Sequence, residues 1–169
     1  NVIYNPVVTG EKEQLTTDPR VKFGIGNSEF YFTLSALAQH KNIATLLRMM
    51  EIIIEEKVNN CKLIVTGVRV NAANEVMSYV KSHHLEEIVI FTGFISNAER
   101  NWLYDNCKVF LFPSVFEGFG LPPVEALQRG IPVITTKKAS IYEVTQGKAK
   151  YVDNPFDEKE WLKMIEAVE

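Results

Sequence analysis

The sequence predicts an α/β domain built on a doubly wound parallel sheet, and three observations carry that reading. Short apolar runs alternate with amphipathic helical stretches along the chain, the order that a parallel sheet with crossover helices requires. The run VFLF, 109–112, is apolar at every position, as a strand covered on both faces is. Candidate ligand residues follow strands, and open α/β sheets bind their ligands at the carboxyl ends of strands.

Taken in order, the chain opens with NVIYNPVV, a β-like run broken at Asn5-Pro6, and continues as a polar, unpatterned loop through Pro19. GIGN at Gly24 to Asn27 contains Gly-x-Gly, but no strand precedes it and no helix follows, so it reads as a turn. Glu29 to Leu34 reads as a strand and Asn42 to Lys57 as a helix with one apolar face, joined by the loop SALAQHKN. Lys41 stands at the mouth of that helix. A cation there can reach a phosphate that the helix dipole already favours; the plain alternative is a solvated surface charge. Lys62 to Thr66 is a second strand, closed by Gly67, and Asn71 to His83 its crossover helix. Arg69 in the intervening loop could face a nucleotide, though a solvated charge is the plainer reading, and His83-His84 read as cationic groups suiting a helix C-terminus rather than metal ligands. Ile88 to Phe91 is a third strand, ended by Gly93. Phe94 and Ile95 then lead into a helix from Ala98 to Asp105, against which both could simply pack.

The stretch that organises the rest is VFLFPSVFEGFGLPPVEALQRGIPV, 109–133. Its strand breaks at Pro113 into the loop SVFEGFG, where two glycines allow tight turning or close approach of a ligand. Pro122-Pro123 supply a helix start, the helix runs from Val124 to Arg129, Gly130 ends it, and Pro132 to Thr135 form the next strand. Glu117 in the loop and Glu125 in the helix have seven residues between them. Free amides around Gly118, Gly120 and Leu121 would attract a phosphate. Two acids beside it make sense when they accept hydrogen bonds from hydroxyls, as of a sugar and a ribose flanking that phosphate. The bland alternative is a solvated loop acid and a carboxylate that merely complements the helix dipole. After this stretch come a loop and short helix in TTKKASIYEV, a last strand in GKAKYVD, and an amphipathic helix capped by Asp157.

Composition narrows the classes. The chain has 169 residues, enough for one domain with a sizeable core, and 46% hydrophobic and 23% charged residues are ordinary for a globular protein. A net charge of −3 offers no basic field for nucleic acid. No apolar run is long enough to span a bilayer and nothing at the N-terminus reads as a signal peptide. Cys61 and Cys107 lack metal spacing, and Cys107 reads as a small core residue, so a reduced, cytoplasmic chain is expected. The start at Asn1 and the helical end WLKMIEAVE suggest a piece of something longer.

FPSVFEGFGLPPVEALQRGIPVI resembles the signature of the retaining glycosyltransferases of family 4 (group 1), which have the GT-B architecture of two Rossmann-like halves. The signature is Glu, seven residues, Glu, with Gly-Phe-Gly-Leu-Pro inside and Glu-Ala plus Gly-x-Pro-Val after it. The resemblance covers nearly the whole chain, 1–169, and implies the donor-binding, C-terminal half of such an enzyme, with the N-terminal acceptor-binding half absent. It implies that Glu125 holds the ribose hydroxyls of a nucleotide sugar. Glu117 would lie at the donor sugar and phosphate end, with Gly118, Phe119, Gly120 and Leu121 lining the pocket. Phe94 and Ile95 would fall where backbone passes the nucleobase, and Lys41 would contact the pyrophosphate. Glu117 and Lys41 are then the catalytic candidates. The family's first-strand loop usually reads Gly-Arg-Leu, with a lysine four residues later. Ser35 stands here at the glycine position and Ala36 at the arginine, so one of two expected cations is missing; the neighbouring His40 could partly substitute, the plain alternative being an exposed loop histidine.

The resemblance therefore implies transfer of a hexose, with retention, from a nucleoside diphosphate sugar to a glycan, lipid or other acceptor. No metal or other cofactor is expected, and the missing half could bring peripheral membrane contact. A sugar-nucleotide epimerase or phosphorylase on a related scaffold, or a degenerate nucleotide-binding domain, are the alternatives.

Overall fold

A computed structural model describes residues 14–36, 38–67, 75–138 and 140–168. The expected strand in NVIYNPVV, Arg69 and the start of the helix expected from Asn71 lie outside the described residues. The strands are β1 Phe30–Leu34, β2 Lys62–Thr66, β3 Val89–Gly93, β4 Val109–Phe112, β5 Val133–Thr136 and β6 Lys150–Val152. The helices are α1 Pro19–Lys22, α2 Ile43–Glu55, α3 Glu75–Ser82, α4 Asn97–Asn106, α5 Leu121–Gln128, α6 Ile141–Thr145 and α7 Glu158–Glu166, with a 3-10 turn at Gln39–Lys41.

The six strands form one sheet in the order β3-β2-β1-β4-β5-β6, parallel at every pairing. Alternating side chains send successive strand residues to opposite faces. Tyr31, Leu63, Val65, Val89, Val109, Leu111 and Ile134 meet α2, α3 and α7 on one face. Phe30, Phe32, Ile64, Phe110, Phe112 and Val133 meet α4, α5 and α6 on the other. The second face is aromatic: Phe32 packs edge-on against Tyr104 and Phe110, at 5.0 and 5.5 Å between ring centroids. Helices on both faces explain why β4 is apolar throughout and buried along its length.

The expectations for β2 and β4 coincide with the observed strands. Two others need correction. Pro19 was expected in a loop but starts α1, because the Asp18 side chain accepts the Arg20 amide and proline suits a first helical position. And α5 begins at Leu121 rather than Val124: Gly120 takes the left-handed conformation, φ 69°, and serves as its N-cap. Pro122 and Pro123 thus occupy the second and third helical positions, so the first turn offers few free amides and those come from Gly120, Leu121 and the loop.

The strand order reverses direction between β1 and β4. The loop after β1 leads to α2 on one face and the loop after β4 leads to α5 on the other, which opens a crevice at their carboxyl ends.

Candidate functional site at the crevice between β1 and β4

Both loops at the crevice are anchored by their own backbone carbonyls. The Val115 amide donates to the His40 carbonyl at 2.9 Å, tying the β4 loop to the turn after β1. On the β5 side, the Thr135 hydroxyl donates to the Phe112 carbonyl at 2.8 Å and the Thr136 hydroxyl to the Ser114 carbonyl at 2.7 Å. Asn42 takes the left-handed conformation, φ 51°, between the 3-10 turn and α2. Its buried amide donates to the Pro155 carbonyl at 2.7 Å and reaches the Pro113 carbonyl at 3.4 Å, while its oxygen accepts from Thr45. Asn42 therefore fixes the residue next to Lys41 to two other loops of the same edge.

This scaffold brings Lys41 and Glu117 together. Lys41 Nζ lies 2.5 Å from Glu117 Oε1, and the Ser114 hydroxyl donates to that same oxygen at 2.5 Å. Lys41 also sits over the Phe112 ring, 5.8 Å from its centroid, so an aromatic face flanks the cation. Ser140 donates to the carbonyls of Glu117 at 3.2 Å and Gly118 at 3.3 Å. Gly118 and Phe119 are exposed, and Gly120 is buried where an added Cβ would meet Ile141 and Val144 at 3.6 and 3.7 Å.

Glu125 lies one to two turns into α5, half-buried and beside Tyr104 of α4. The Tyr104 hydroxyl reaches the Pro122 carbonyl at 3.4 Å. Burial, and then the neighbouring Glu125 carboxylate, push that phenol well above the usual tyrosine range. The Arg129 guanidinium lies over the same ring at 5.5 Å and pairs with Asp105 at 2.6 Å.

Ser35 is buried at the end of β1. Its amide donates to the Thr66 carbonyl at 3.0 Å and its hydroxyl to the Ala36 carbonyl at 2.8 Å. Gly67 packs so closely that a Cβ there would stand 3.0 Å from the Ser35 carbonyl oxygen, which together with φ 84° explains the glycine. Ala36 is exposed. Beyond Gly93, Phe94 is 71% exposed while Ile95 packs into the aromatic face of the core. Ile95 thus packs as the plain alternative expects, and Phe94 stays exposed.

The structure thus places Lys41, Glu117, Gly118, Phe119, Gly120 and Ser35 on the turns and loops of one edge, with Leu121 starting α5 and Glu125 further along that helix. Sequence reasoning missed Ser114, Thr136, Ser140, Asn42 and Tyr104. Asn at the residue after Lys41 carried a signal, since asparagine tolerates the left-handed conformation a turn into a helix can need. Ser114 lies only three residues before its partner Glu117, whereas Tyr104, Thr136 and Ser140 carried no signal because their partners lie 18 to 23 residues away in sequence. A separate cavity of about 870 Å³ opens at the other edge of the sheet, beside Lys57, Asn59, Lys62, Glu86 and Glu87, and holds none of these residues. Among the described residues no helix is long and apolar enough to cross a membrane.

Comparison with known proteins agrees with this architecture. Residues 16–169 match the family described as Glycosyl transferases group 1. The chain is 31% identical over 140 residues to the O-antigen chain mannosyltransferase RfbU of Salmonella typhimurium, covering 83% of this chain and 38% of that protein. It is 30% identical over 140 residues to the serotype-specific mannosyltransferase WbdA of Escherichia coli, covering 82% of this chain and 17% of that protein. The crystal structure of Anabaena Alr3699/HepE in complex with UDP and glucose superposes with a TM-score of 0.73 at 22% identity, over 88% of this chain and 40% of that one. The shared fold is a Rossmann-like half of the GT-B architecture. The chain spans well under half the length of the relatives it matches. Because the family match runs over nearly its whole length, the chain belongs to the group 1 glycosyl transferases.

Proposed function

We propose that this chain is the donor-binding half of a retaining, metal-independent glycosyltransferase that takes a hexose from a nucleoside diphosphate sugar. The observation that carries the reading is the meeting of Lys41 and Glu117 at the crevice where the strand order reverses. Breaking the anomeric C–O bond leaves a diphosphate with added negative charge. Lys41 and the amides of the Gly118 to Leu121 loop are the groups that would stabilise that charge, most strongly in the transition state. Glu117 sits at the sugar end, held by Lys41 and Ser114. Glu125, beside Tyr104, accepts the ribose hydroxyls. That assignment leaves no second carboxylate at the sugar for a glycosidase-type double displacement.

The names of the matched relatives favour mannose as the hexose, with a growing glycan as acceptor. The acceptor groups would come from an N-terminal Rossmann-like half. Cys61 and Cys107 are buried and form no disulfide, which suits a reducing, cytoplasmic compartment. Exposed Ala36, without the usual arginine, favours a second reading in which the domain binds nucleotide but does not turn over.

The test is calorimetry with UDP-, GDP- and ADP-sugars and their free nucleotides. Saturable binding of at least one is expected, with GDP-mannose the first candidate. Absence of heat and of thermal stabilisation with all of them at millimolar concentration would overturn the reading. Turnover with inversion in an enzyme containing both halves would overturn the retaining mechanism alone.

A further inference from the structure

Ser140 stands at the N-cap of α6, yet its hydroxyl does not cap that helix. A serine in that position ordinarily accepts an amide of its own first turn. Here the single hydroxyl proton is shared instead between the carbonyls of Glu117, at 3.2 Å, and Gly118, at 3.3 Å, 23 and 22 residues earlier in the chain. The same helix also backs the loop at Gly120, where an added Cβ would lie in van der Waals contact with Ile141 and Val144, at 3.6 and 3.7 Å. So α6 buttresses the whole segment from Glu117 to Gly120, and Ser140 supplies its polar fastening.

In a trans peptide the N–H points opposite to the preceding C=O. Drawing the Glu117 carbonyl toward Ser140 therefore turns the Gly118 amide away from α6. Gly118 has no Cβ and is exposed, so no side chain of its own fixes that peptide plane. From this geometry we infer that Ser140 is a positioning residue: its hydroxyl holds the Glu117–Gly118 peptide so that the Gly118 amide faces the diphosphate of the donor. The inference rests on the donor-site reading given above. Ser140 does not touch the substrate; it acts through the loop it holds.

The test compares the chain with its Ser140→Ala and Ser140→Thr forms. Calorimetry measures a nucleoside diphosphate, chosen as the tightest of UDP, GDP and ADP, and the corresponding nucleoside. Ser140→Ala should weaken the diphosphate about tenfold, the scale of one charge-assisted amide bond, and leave the nucleoside unchanged. Ser140→Thr, which keeps the hydroxyl, should restore the diphosphate affinity. Equal loss for both ligands, or none for either, overturns the positioning role. Nitrogen-15 NMR of the ligand-free proteins supplies a readout that needs no binding. The Gly118 amide resonance should move in Ser140→Ala and return in Ser140→Thr, and an unmoved resonance overturns the inference. Failure of the unaltered chain to bind any nucleotide defeats the donor-site reading, and with it the diphosphate as the target. In that case the NMR comparison still decides whether Ser140 sets the peptide.

Discussion

Lys41 Nζ and Glu117 Oε1 lie 2.5 Å apart, 76 residues distant in sequence, with only 19% and 13% of their side chains exposed. The pair joins the loop after β1 to the loop after β4 and neutralises the crevice. A diphosphate entering it must share Lys41 with Glu117, while the Ser114 hydroxyl can keep the carboxylate satisfied.

Removing the lysine should therefore do more than delete one attraction, because it would leave the Glu117 carboxylate without its cation near a bound diphosphate. Lys41→Ala is expected to weaken nucleoside diphosphate binding by about 2–3 kcal/mol while leaving nucleoside binding unchanged. Adding Glu117→Gln to that variant should recover roughly 1 kcal/mol, since the repelling charge is gone. Titration of both ligands against the three proteins checks this. An undiminished diphosphate preference in Lys41→Ala would remove the lysine from the site.

That pairing shows where the sequence is readable and where it is not. β2 and β4 were legible to the residue because apolar runs between turn residues are local signals. The four-residue helix at Pro19 was not, since it is too short to show a period, although Asp18-Pro19 is a cap followed by a first-turn proline. Lys41 and Glu117 could each be picked out from their loops. Their contact depends on β1 lying beside β4, and strand order is set by the packing of the whole sheet. The same holds for Ser140, whose local context predicts a helix cap and whose actual partners are supplied by the tertiary fold.

Ala36 gives the second prediction. It occupies the place of a second cation in the resembling family, and it is exposed, so a larger side chain meets no core to overpack. Ala36→Arg is expected to tighten diphosphate binding by about 1–2 kcal/mol, with a partly solvated guanidinium discounted for screening. The gain should shrink as salt is raised. A loss of melting temperature with no gain in affinity would mean that the loop does not face the diphosphate.

Glu125 gives the third. If Glu125 accepts both ribose hydroxyls as proposed, Glu125→Ala should cost about 2–4 kcal/mol of nucleotide affinity. A 2′,3′-dideoxy nucleotide should bind the original and the variant about equally. Tyr104→Phe removes the phenol beside the carboxylate, and its effect on the ribose-dependent part of binding should be smaller than that of Glu125→Ala. Unequal affinity for the dideoxy ligand would place Glu125 elsewhere.

The last prediction concerns stability and needs no ligand. Glu99 is 6% exposed and forms a capping box with Ser96 at the start of α4, and its carboxylate also receives the Lys22 ammonium. Burial pushes the Glu99 carboxyl up, but the bonds from Lys22 and from the Ser96 amide outweigh burial and hold it below its ordinary value. A carboxyl depressed in the folded state stabilises the protein fully above its unfolded-state pKa, and that stabilisation is lost as pH falls through the folded value. The melting temperature of Glu99→Gln should thus lie below that of the unaltered chain near neutral pH, with the gap closing below about pH 4.5. Lys22→Met should close part of the gap at neutral pH by removing the cation, whereas Ser96→Ala should cost about 1 kcal/mol as the loss of a cap. Thermal melts across that range decide it: a gap that stays constant with pH would mean that Glu99 contributes by packing and hydrogen bonding rather than by its charge.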